Sequence, residues 1–408
     1  MASNQQAPNS KLAISRRAFL AALGTGLLAG CSSEESTAGT KASSREQVTV
    51  YDDEAPEQTT VTFAMVGDIL VHTAVWQSGV AADGTRNYDH LFANVKADVE
   101  SYDIAALDQE TILGGESFGF SGYPSFNSPQ EFADAEVAAG FDVFLHANNH
   151  AIDQGLAGIQ SELSYWREHY PDAVVTGMAD TEEAAATIPI IERSGHKIAV
   201  LNYAADTNGI PLPSDAPWCV RMLTEEQVTS DFAAAQEAGA EAIAVCPHWG
   251  EEYAAEPNEF QRNWANRFVE LGATVIFGNH PHVMQPVEAL VGDDGRLVPV
   301  YWSLGNFVST MVGEQSMVGG LAHVAITFTG DAMSVTAAGL TPLVTHKVYG
   351  PGITTYKLAD YTEELASANA IRNDSGNGDF NRQWCVDFCG GRLGDGFDAT
   401  TCEYTLTL

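Results

Sequence analysis

Basic residues are scarce in this sequence. Its 408 residues include 19 Lys and Arg against 54 Asp and Glu, which gives a formal net charge of −35 at pH 7. A nucleic-acid-binding surface needs Lys and Arg to replace the counterions of the phosphate backbone. The composition therefore argues against a nucleic acid as partner. An anionic surface of this strength favours solubility and attracts divalent cations.

The apolar run near the N-terminus, residues 18–29, is too short to span a bilayer as a helix of the mature protein. Residues 15–20 (SRRAFL) resemble a twin-arginine export signal. Residues 28–31 (LAGC) resemble a bacterial lipobox, in which Cys31 is lipidated. We expect residues 1–31 to direct export and lipid anchoring at the outer face of the cytoplasmic membrane. The alternative is a plain N-terminal anchor helix with a chance Cys.

Cysteine is also rare, with six in the whole chain. The five beyond the lipobox are an odd number, which leaves at least one thiol unpaired. Three of them cluster in a Gly- and Asp-rich tail, where we expect one disulfide in an oxidising compartment. A zinc knuckle is the alternative, although three Cys without a nearby His are an incomplete ligand set. These five residues are Cys219, Cys246, Cys385, Cys389 and Cys402.

The rest of the chain divides into three parts. Residues 32–58 are rich in Ser, Thr, Glu and Gly and have little to bury, which predicts a solvated, disordered tether. The overall apolar content of 45% is normal for a globular core. We assign a main α/β domain to residues 59–350 and a smaller, Cys-containing appendage to residues 351–408.

Two predicted strands end in carboxylates. The strand predicted at residues 60–69 carries Asp68 near its end, and Glu110 follows the strand predicted at residues 103–107. Open α/β sheets place functional carboxylates just past buried strands. A helix N-cap is the alternative for Asp68. The alternative for Glu110 is a carboxylate that lies in a turn by chance. We interpret Asp108 as such a turn carboxylate.

The turn after the predicted strand at residues 141–145 has the sequence HANNH. A structural turn needs one Asn for a left-handed residue and does not need an Asn-Asn-His run. Asn149 offers a neutral oxygen ligand to a metal, and His150 is suited to donate a proton. Asp153 follows, where a helix is predicted to begin.

Histidines follow two further predicted strands. His280 and His282 come after the apolar run at residues 275–277, and His248 follows another apolar strand. Pro281 is expected to hold the backbone between His280 and His282 extended. Two neutral imidazoles that converge at a strand end form a plausible metal site. The alternative is a pair of hydrogen-bonded surface histidines.

The alternation of strands and helices predicts a parallel or mixed sheet with helices on both faces, followed by antiparallel hairpins. Because the carboxyl ends of parallel strands meet, we expect the polar residues at one edge of one sheet. Their ligand types suit Mn²⁺, Fe²⁺ or Zn²⁺, and their number suffices for two ions. The candidate metal ligands are Asp68, Glu110, Asn149, His248, His280 and His282. Additional candidates are His72, Asn148, Asp153 and Asn306.

A Gly-, Ser- and Pro-rich loop at residues 114–129 contains several aromatic residues. Its length and aromatic content suggest that it lines the mouth of a cleft. A flexible insertion is the alternative.

Six motifs occur in one order between residues 60 and 345: GDILVH, DQE, ANNHAIDQG, PHWGEEY, GNHPHVMQPVE and SLGNF. Together they resemble the CapA family of poly-γ-glutamate and capsule synthesis proteins. The resemblance implies a calcineurin-like metallophosphoesterase fold, a β-sandwich of mixed sheets flanked by helices. It also implies the six ligands named above, with His150 as the acid for a leaving oxygen. The sequence departs from the pattern in two respects: His72 lies four residues after Asp68, and Asp108 replaces an expected Asn.

The resemblance leads to two hypotheses of function. The first is an exported, lipid-anchored protein of capsule or poly-γ-glutamate synthesis that acts as a metal-dependent hydrolase on phosphoester or related bonds at the cell surface. The second is a non-catalytic accessory or binding subunit of a surface-polymer synthesis or export complex. Metal content and turnover distinguish the two.

Overall fold

The computed structural model describes residues 57–348 and 352–408. The predicted export signal, Cys31 and almost all of the predicted tether lie outside the described residues. The strands of the described part are β1 Gln58–Ile69, β2 Ile104–Gln109, β3 Val143–Leu145, β4 Val174–Thr176, β5 Ile190–Arg193, β6 His196–Ala204, β7 Ala242–His248, β8 Val275–Phe277, β9 Val287–Val291, β10 Leu297–Tyr301, β11 Asn306–Val308, β12 Val318–Thr329, β13 Ala332–His346, β14 Thr354–Lys357, β15 Phe397–Asp398 and β16 Glu403–Leu406.

Helices connect many of these strands. The α-helices are α1 Thr73–Ser78, α2 Lys96–Val99, α3 Glu131–Ala138, α4 Gly155–His169, α5 Glu182–Ala185, α6 Glu225–Glu237, α7 Glu259–Leu271, α8 Glu363–Ala368 and α9 Arg382–Leu393. Short 3₁₀ turns cover Asp89–Leu91, Glu116–Phe118, Glu314–Met317, Leu358–Asp360, Ala370–Asn373 and Gly394–Gly396. Among the described residues, no helix has both the length and the apolar character required to cross a membrane.

The strands form two mixed sheets. The first has ten strands, with β15-β16-β13-β12-β1-β2-β3-β4 in spatial order, β11 paired with β1 and β14 paired with β13. The second has six, in the order β5-β6-β7-β8-β10-β9. Strands β6, β7, β8 and β10 run parallel, while β5 and β9 are antiparallel at the edges. The predicted fold class of mixed sheets flanked by helices is confirmed.

Aromatic residues join the two sheets. Phe63 of β1 stacks on Phe277 of β8 with ring centroids 5.5 Å apart, and Phe277 stacks on Tyr301 of β10 at 5.2 Å. All three side chains are fully buried. Helices cover the opposite faces, as shown by Phe144 of β3 against Trp166 of α4 at 4.3 Å. Burial of these large rings is the main favourable term that holds the sheets together.

The apolar residues of segment 88–100 recur at helical spacing, but the segment does not form one continuous helix. Its apolar residues are buried as the spacing predicts, but the segment consists of a 3₁₀ turn and the four-residue α2. Asn94 lies between the two pieces and donates a hydrogen bond from Nδ2 to Thr354 Oγ1 at 3.0 Å. This tertiary contact, together with the weak helix propensity of Asn, interrupts the helix.

The C-terminal residues extend the first sheet, since β14 and β16 both pair with β13. The disulfide expected among Cys385, Cys389 and Cys402 is absent, and all three are buried free thiols. Cys385 and Cys389 lie one turn apart on α9 and both enter the hydrophobic core. Side chains at this spacing point in the same direction, whereas a disulfide needs the two Cβ atoms to approach each other.

Close packing around Gly278 fixes the path of the chain after β8. A Cβ atom at this position would lie 2.2 Å from the carbonyl oxygen of Trp302 and 2.5 Å from Nε1 of Trp249. The amide of Gly278 also donates a hydrogen bond to the carbonyl of Tyr301 at 2.7 Å. The loop that begins at Gly278 therefore packs directly against the end of β10, where there is no room for a side chain.

The substitution Gly278→Ala is expected to destabilise the protein by about 1–3 kcal/mol, because overpacking forces the surrounding backbone to move. Denaturant unfolding followed by circular dichroism measures the change. Gly378→Ala is the matched control, because a Cβ atom there meets nothing within 4 Å. Equal stability of the two variants would contradict this account of Gly278.

Candidate metal centre

The register of the first sheet brings three polar residues together at one end of β1. Asp68 pairs with Asp108 of the parallel neighbour β2 and with Asn306 of β11 on its other side. The β1–β2 pairing shifts register between Met65 and Asp68, so the ladder is irregular just before the site. Glu110 directly follows β2, and all four polar side chains are buried.

The second sheet contributes the histidines. His248 ends β7, and it pairs through an isolated bridge with Asn279 in the loop after β8. His280 and His282 follow in the same loop. We predicted that the candidate ligands lie at one edge of one sheet. This prediction is wrong, because they come from the ends of two sheets that pack face to face.

The backbone at the two loop histidines is strained. His280 has φ 98° and His282 has φ 58°, both in the left-handed region. The prediction that Pro281 keeps this segment extended is therefore wrong. Left-handed residues other than glycine cost on the order of 1–3 kcal/mol and cluster at functional sites. The strain is offset in part by the His280 amide, which donates a hydrogen bond to Asp68 Oδ2 at 3.3 Å.

His248 lies at the centre of the cluster, with a partner at each ring nitrogen. Its Nδ1 is 2.8 Å from Oδ2 of Asp108. Its Nε2 is 2.8 Å from Oδ1 of Asn149 and 3.1 Å from Nδ1 of His280. The Asp108 carboxylate also accepts a hydrogen bond from Asn279 Nδ2 at 3.1 Å. Asp108 is thus held in place and in turn orients His248.

Glu110 connects the two sides of the cluster. Its Oε1 is 3.8 Å from His248 Nε2 and 3.7 Å from His282 Nε2. The Nδ1 atom of His282 is 3.1 Å from Oδ2 of Asp68 and 3.1 Å from Oδ1 of Asn306. The six predicted ligands therefore lie together in one cluster, and Asn306 lies beside them.

The cluster holds more negative groups than its surroundings compensate. Asp68, Asp108 and Glu110 are at most 1% exposed. Within the described residues, no Lys or Arg is paired with any of them. Both carboxylate oxygens of Glu110 and Oδ1 of Asp68 have no hydrogen-bond partner. Buried carboxylates in this state require a cation or a proton.

The pKa values of the cluster reflect this burial. Burial raises the pKa of Asp108 to about 7, raises the pKa of Glu110 well above its usual value, and raises that of Asp68. For Glu110, repulsion from Asp68 and Asp108 adds to the effect. Burial also lowers the pKa of His248 to about 3 and lowers that of His280. Neutral imidazoles are the form that ligates metals.

The donor set fits a divalent cation. Three groups of side chains each offer ligand atoms that lie within 4.8 Å of one another. The groups are Glu110 with His248 and His280, Asp68 with Asp108 and His248, and Asp68 with Glu110 and His282. Unpartnered carboxylate oxygens that face imidazole nitrogens are the arrangement a bound cation would complete. The identity and number of the ions stay predictions.

The remaining predicted residues lie around this cluster in different roles. Asp153 Oδ2 is 2.8 Å from His150 Nδ1, so these two form a separate pair. Asn148 donates a hydrogen bond to the carbonyl of Gln109 at 2.9 Å and accepts one from the His150 amide at 3.1 Å. His72 lines a neighbouring cleft and belongs to none of the three ligand groups.

Sequence reasoning missed two residues of this centre. Asp108 is not a turn carboxylate, since it lies in β2 in register with Asp68 and binds His248. Asn279 had no assigned role, yet it donates to Asp108. The two-residue spacing of Asp108 and Glu110 was the available sign, because residues two apart on a strand share a face, but this spacing does not identify a partner.

A family model described as "Bacterial capsule synthesis protein PGA_cap" matches residues 62–311, a span that contains the whole cluster. The chain is 32% identical over 178 residues to the "PGA biosynthesis protein CapA" of Bacillus subtilis, covering 41% of this chain and 42% of that protein. It is 26% identical over 260 residues to the "Capsule biosynthesis protein CapA" of Bacillus anthracis, covering 62% and 60%. The chain thus spans about half the length of these relatives.

Two solved structures are also similar. The NAD nucleotidase of Haemophilus influenzae has a TM-score of 0.43 and 14% identity, covering 79% of this chain and 64% of that one. The calcineurin-like phosphoesterase YfkN of Bacillus subtilis has a TM-score of 0.42 and 12% identity, covering 70% and 91%.

The substitution Asp108→Asn tests the role of this carboxylate. We expect the affinity for Mn²⁺ to fall roughly 10–100-fold, because a neutral amide orients His248 less strongly than the carboxylate does. In the unaltered protein the affinity should rise from about pH 5.5 to about pH 7.5, since a proton on Asp108 competes with the cation. This part of the pH dependence should be lost in Asp108→Asn.

Isothermal titration calorimetry at a series of pH values measures both effects. Asp293→Asn, in the exposed turn between β9 and β10, is the control and should bind like the unaltered protein. If Asp108→Asn keeps full affinity and the same pH profile, Asp108 has no part in the centre.

Proposed function

Because this chain belongs to the PGA_cap family of bacterial capsule synthesis proteins, we propose that it is a metal-dependent hydrolase of a phosphoester or related bond in surface-polymer synthesis. One observation carries the proposal. Three buried carboxylates lie among three histidines, and no Lys or Arg of the described chain pairs with them.

The ligands proposed for two ions fall into two sets. One set surrounds His248 and His280, the other surrounds Asp68 and His282, and Glu110 contacts both. A carboxylate between two ligand sets supports a two-ion centre with Glu110 shared. The proposed ligands are Asp68, Glu110, Asn149, His248, His280 and His282.

The chain supplies its own acid for the reaction. Bound divalent ions would supply Lewis-acid chemistry, which neutralises the negative charge that develops on a phosphoryl oxygen. Asp153 holds the His150 ring through Nδ1 at 2.8 Å, and His150 Nε2, which lies 3.4 Å from Asn208 Nδ2, is the nitrogen proposed to carry a proton toward the substrate. A water oxygen bonds to phosphorus and releases a proton to solvent, the ester bond breaks, and His150 gives its Nε2 proton to the departing oxygen and regains one from solvent.

The proposal predicts that purified protein contains a divalent metal and hydrolyses at least one member of a panel of phosphomonoesters and phosphodiesters with Mn²⁺. In His150→Ala, kcat should fall by roughly 10²–10⁴-fold while the metal content stays unchanged, because a general acid is lost and no ligand is removed. Elemental analysis gives the metal content, and phosphate release gives kcat.

His169→Ala is the matched control, because His169 lies exposed near the end of α4 and stacks on Tyr165. This variant should keep full turnover. Turnover of His150→Ala at the level of the unaltered protein would refute the acid role. Absence of metal would refute the proposal as a whole.

A non-catalytic accessory role is the second candidate. Both relatives are named for biosynthesis, and neither name specifies a hydrolytic reaction. This supports a subunit of a surface-polymer synthesis or export complex in which the metal stabilises a binding site. Bound metal without turnover on the whole panel would favour this role over the hydrolase.

We also propose that the protein is exported and anchored to the outer face of the cytoplasmic membrane through lipidated Cys31. The twin-arginine motif at residues 15–20 and the lipobox at residues 28–31 support this, and both lie outside the described residues. Residues 32–57 would then separate the anchor from β1, which begins at Gln58.

Metabolic labelling with a fatty-acid analogue tests the anchor in a bacterial host. The full chain should be labelled and found with membranes, whereas Cys31→Ala should lose the label because the acylated atom is absent. Cys219→Ala, which changes a buried thiol, should remain labelled. Label retained in Cys31→Ala would contradict the assignment.

A further inference from the structure

A cleft of about 530 Å³ opens beside the candidate metal centre. His282 of the cluster and His150 of the proposed acid pair both line it, so a molecule in the cleft reaches both groups. A substrate would therefore approach the candidate metal centre through this cleft. The residues that line the cleft indicate which class of substrate fits.

Aromatic rings form much of the cleft lining. Phe126 lies edge-on to His150 with ring centroids 4.7 Å apart, and Tyr123 lies 6.4 Å from Phe126. Tyr253 lies 6.1 Å from His282. Phe126 is fully buried, whereas Tyr123 is 76% exposed and Tyr253 is 55% exposed. The two tyrosines are thus exposed aromatic residues of the lining, whereas Phe126 is a buried one.

The position of Tyr253 is fixed by the loop that carries the metal-site histidines. Tyr253 has φ 65°, in the left-handed region, and its amide donates a hydrogen bond to the carbonyl of Pro281 at 2.8 Å. Pro281 lies between His280 and His282. A strained, half-exposed aromatic residue tied to this segment points to a role in binding.

The charge of the cleft is unsuited to a polyanion. None of the described residues that line it is Lys or Arg, and Glu252 adds an acidic group. Lys347 lies behind the wall, where Nζ donates to the carbonyl of Met311 and to Asp374. A chain with a carboxylate on every residue would meet aromatic faces and an acid there, with no basic side chain to pair with.

We propose, on the basis of the hydrolase function above, that the cleft binds an uncharged ring carried by the group that is hydrolysed, packed between Tyr123 and Tyr253. The shared chemistry is a ring with an apolar face, either a sugar or an aromatic ring. The reactive anionic group lies at the metal centre, and the ring fills the aromatic part of the cleft. A poly-γ-glutamate chain does not occupy this cleft.

Four primary alkyl phosphates with matched leaving groups test the proposal: glycerol 3-phosphate, 3-phosphoglycerate, glucose 6-phosphate and benzyl phosphate. With the Mn²⁺-loaded protein, we expect kcat/KM to be roughly tenfold higher for the better ring ester than for glycerol 3-phosphate, the scale of one good aromatic contact. We expect 3-phosphoglycerate, which adds a carboxylate, to be the poorest. Comparison of kcat/KM for glucose 6-phosphate with kcat/KM for benzyl phosphate distinguishes a sugar ring from an aromatic ring.

A binding measurement keeps the test independent of turnover. The corresponding phosphonates, in which a methylene replaces the ester oxygen, are not hydrolysed, and calorimetry gives their dissociation constants. In Tyr123→Ala and Tyr253→Ala the ratio of ring to acyclic affinity should fall severalfold. Phe260→Ala, which removes an aromatic residue 44% exposed on α7 and outside the cleft, is the control and should keep the ratio.

The two proposals fail in different ways. Absence of turnover with a ring preference in binding overturns the hydrolase and supports the ring site. Turnover without a ring preference, or with 3-phosphoglycerate preferred, overturns the ring site and leaves the hydrolase. Unchanged ratios in both tyrosine variants, or no binding of any phosphonate, also overturn the ring site.

Discussion

The buried negative charge of Asp68, Asp108 and Glu110 is the constraint on which the rest of the site depends. An ionised carboxylate away from water is costly unless a cation, a hydrogen-bond network or a proton compensates it. Asp108 has such a network through His248 and Asn279. Glu110 has none, because both of its oxygens lack a partner. The fold therefore holds one carboxylate rigidly and leaves another available for a cation.

The two sheets are needed together to create this arrangement. The first sheet supplies the acids through the register of β1, β2 and β11. The second supplies His248 at the end of β7 and two histidines in the strained loop after β8. The packing of Phe63 on Phe277 fixes the distance between the sheets. Mutations in this aromatic core would thus alter the metal centre without touching a ligand.

The cluster and the cleft differ in charge, and the proposed recognition divides along that difference. The cluster concentrates carboxylates and suits cations, and through them an anionic reacting group. The cleft beside it is aromatic, and none of its described lining residues is basic. On the proposed function, this division would explain how a chain with a net charge of −35 approaches an anionic substrate group. The attraction would come from bound metal and not from the protein surface.

The sequence by itself determined the elements and the residue types of the site. Apolar runs fixed the strands that end near Asp68 and His248, and turn residues fixed hairpins such as β9–β10. Only the tertiary structure decided that the ligands come from two sheets, that Asp108 orients His248, and that His280 adopts a left-handed backbone. The physical reason is that periodicity encodes which face of an element is buried, whereas contacts between residues 140 positions apart, such as His248 with Asp108, depend on how separate elements pack.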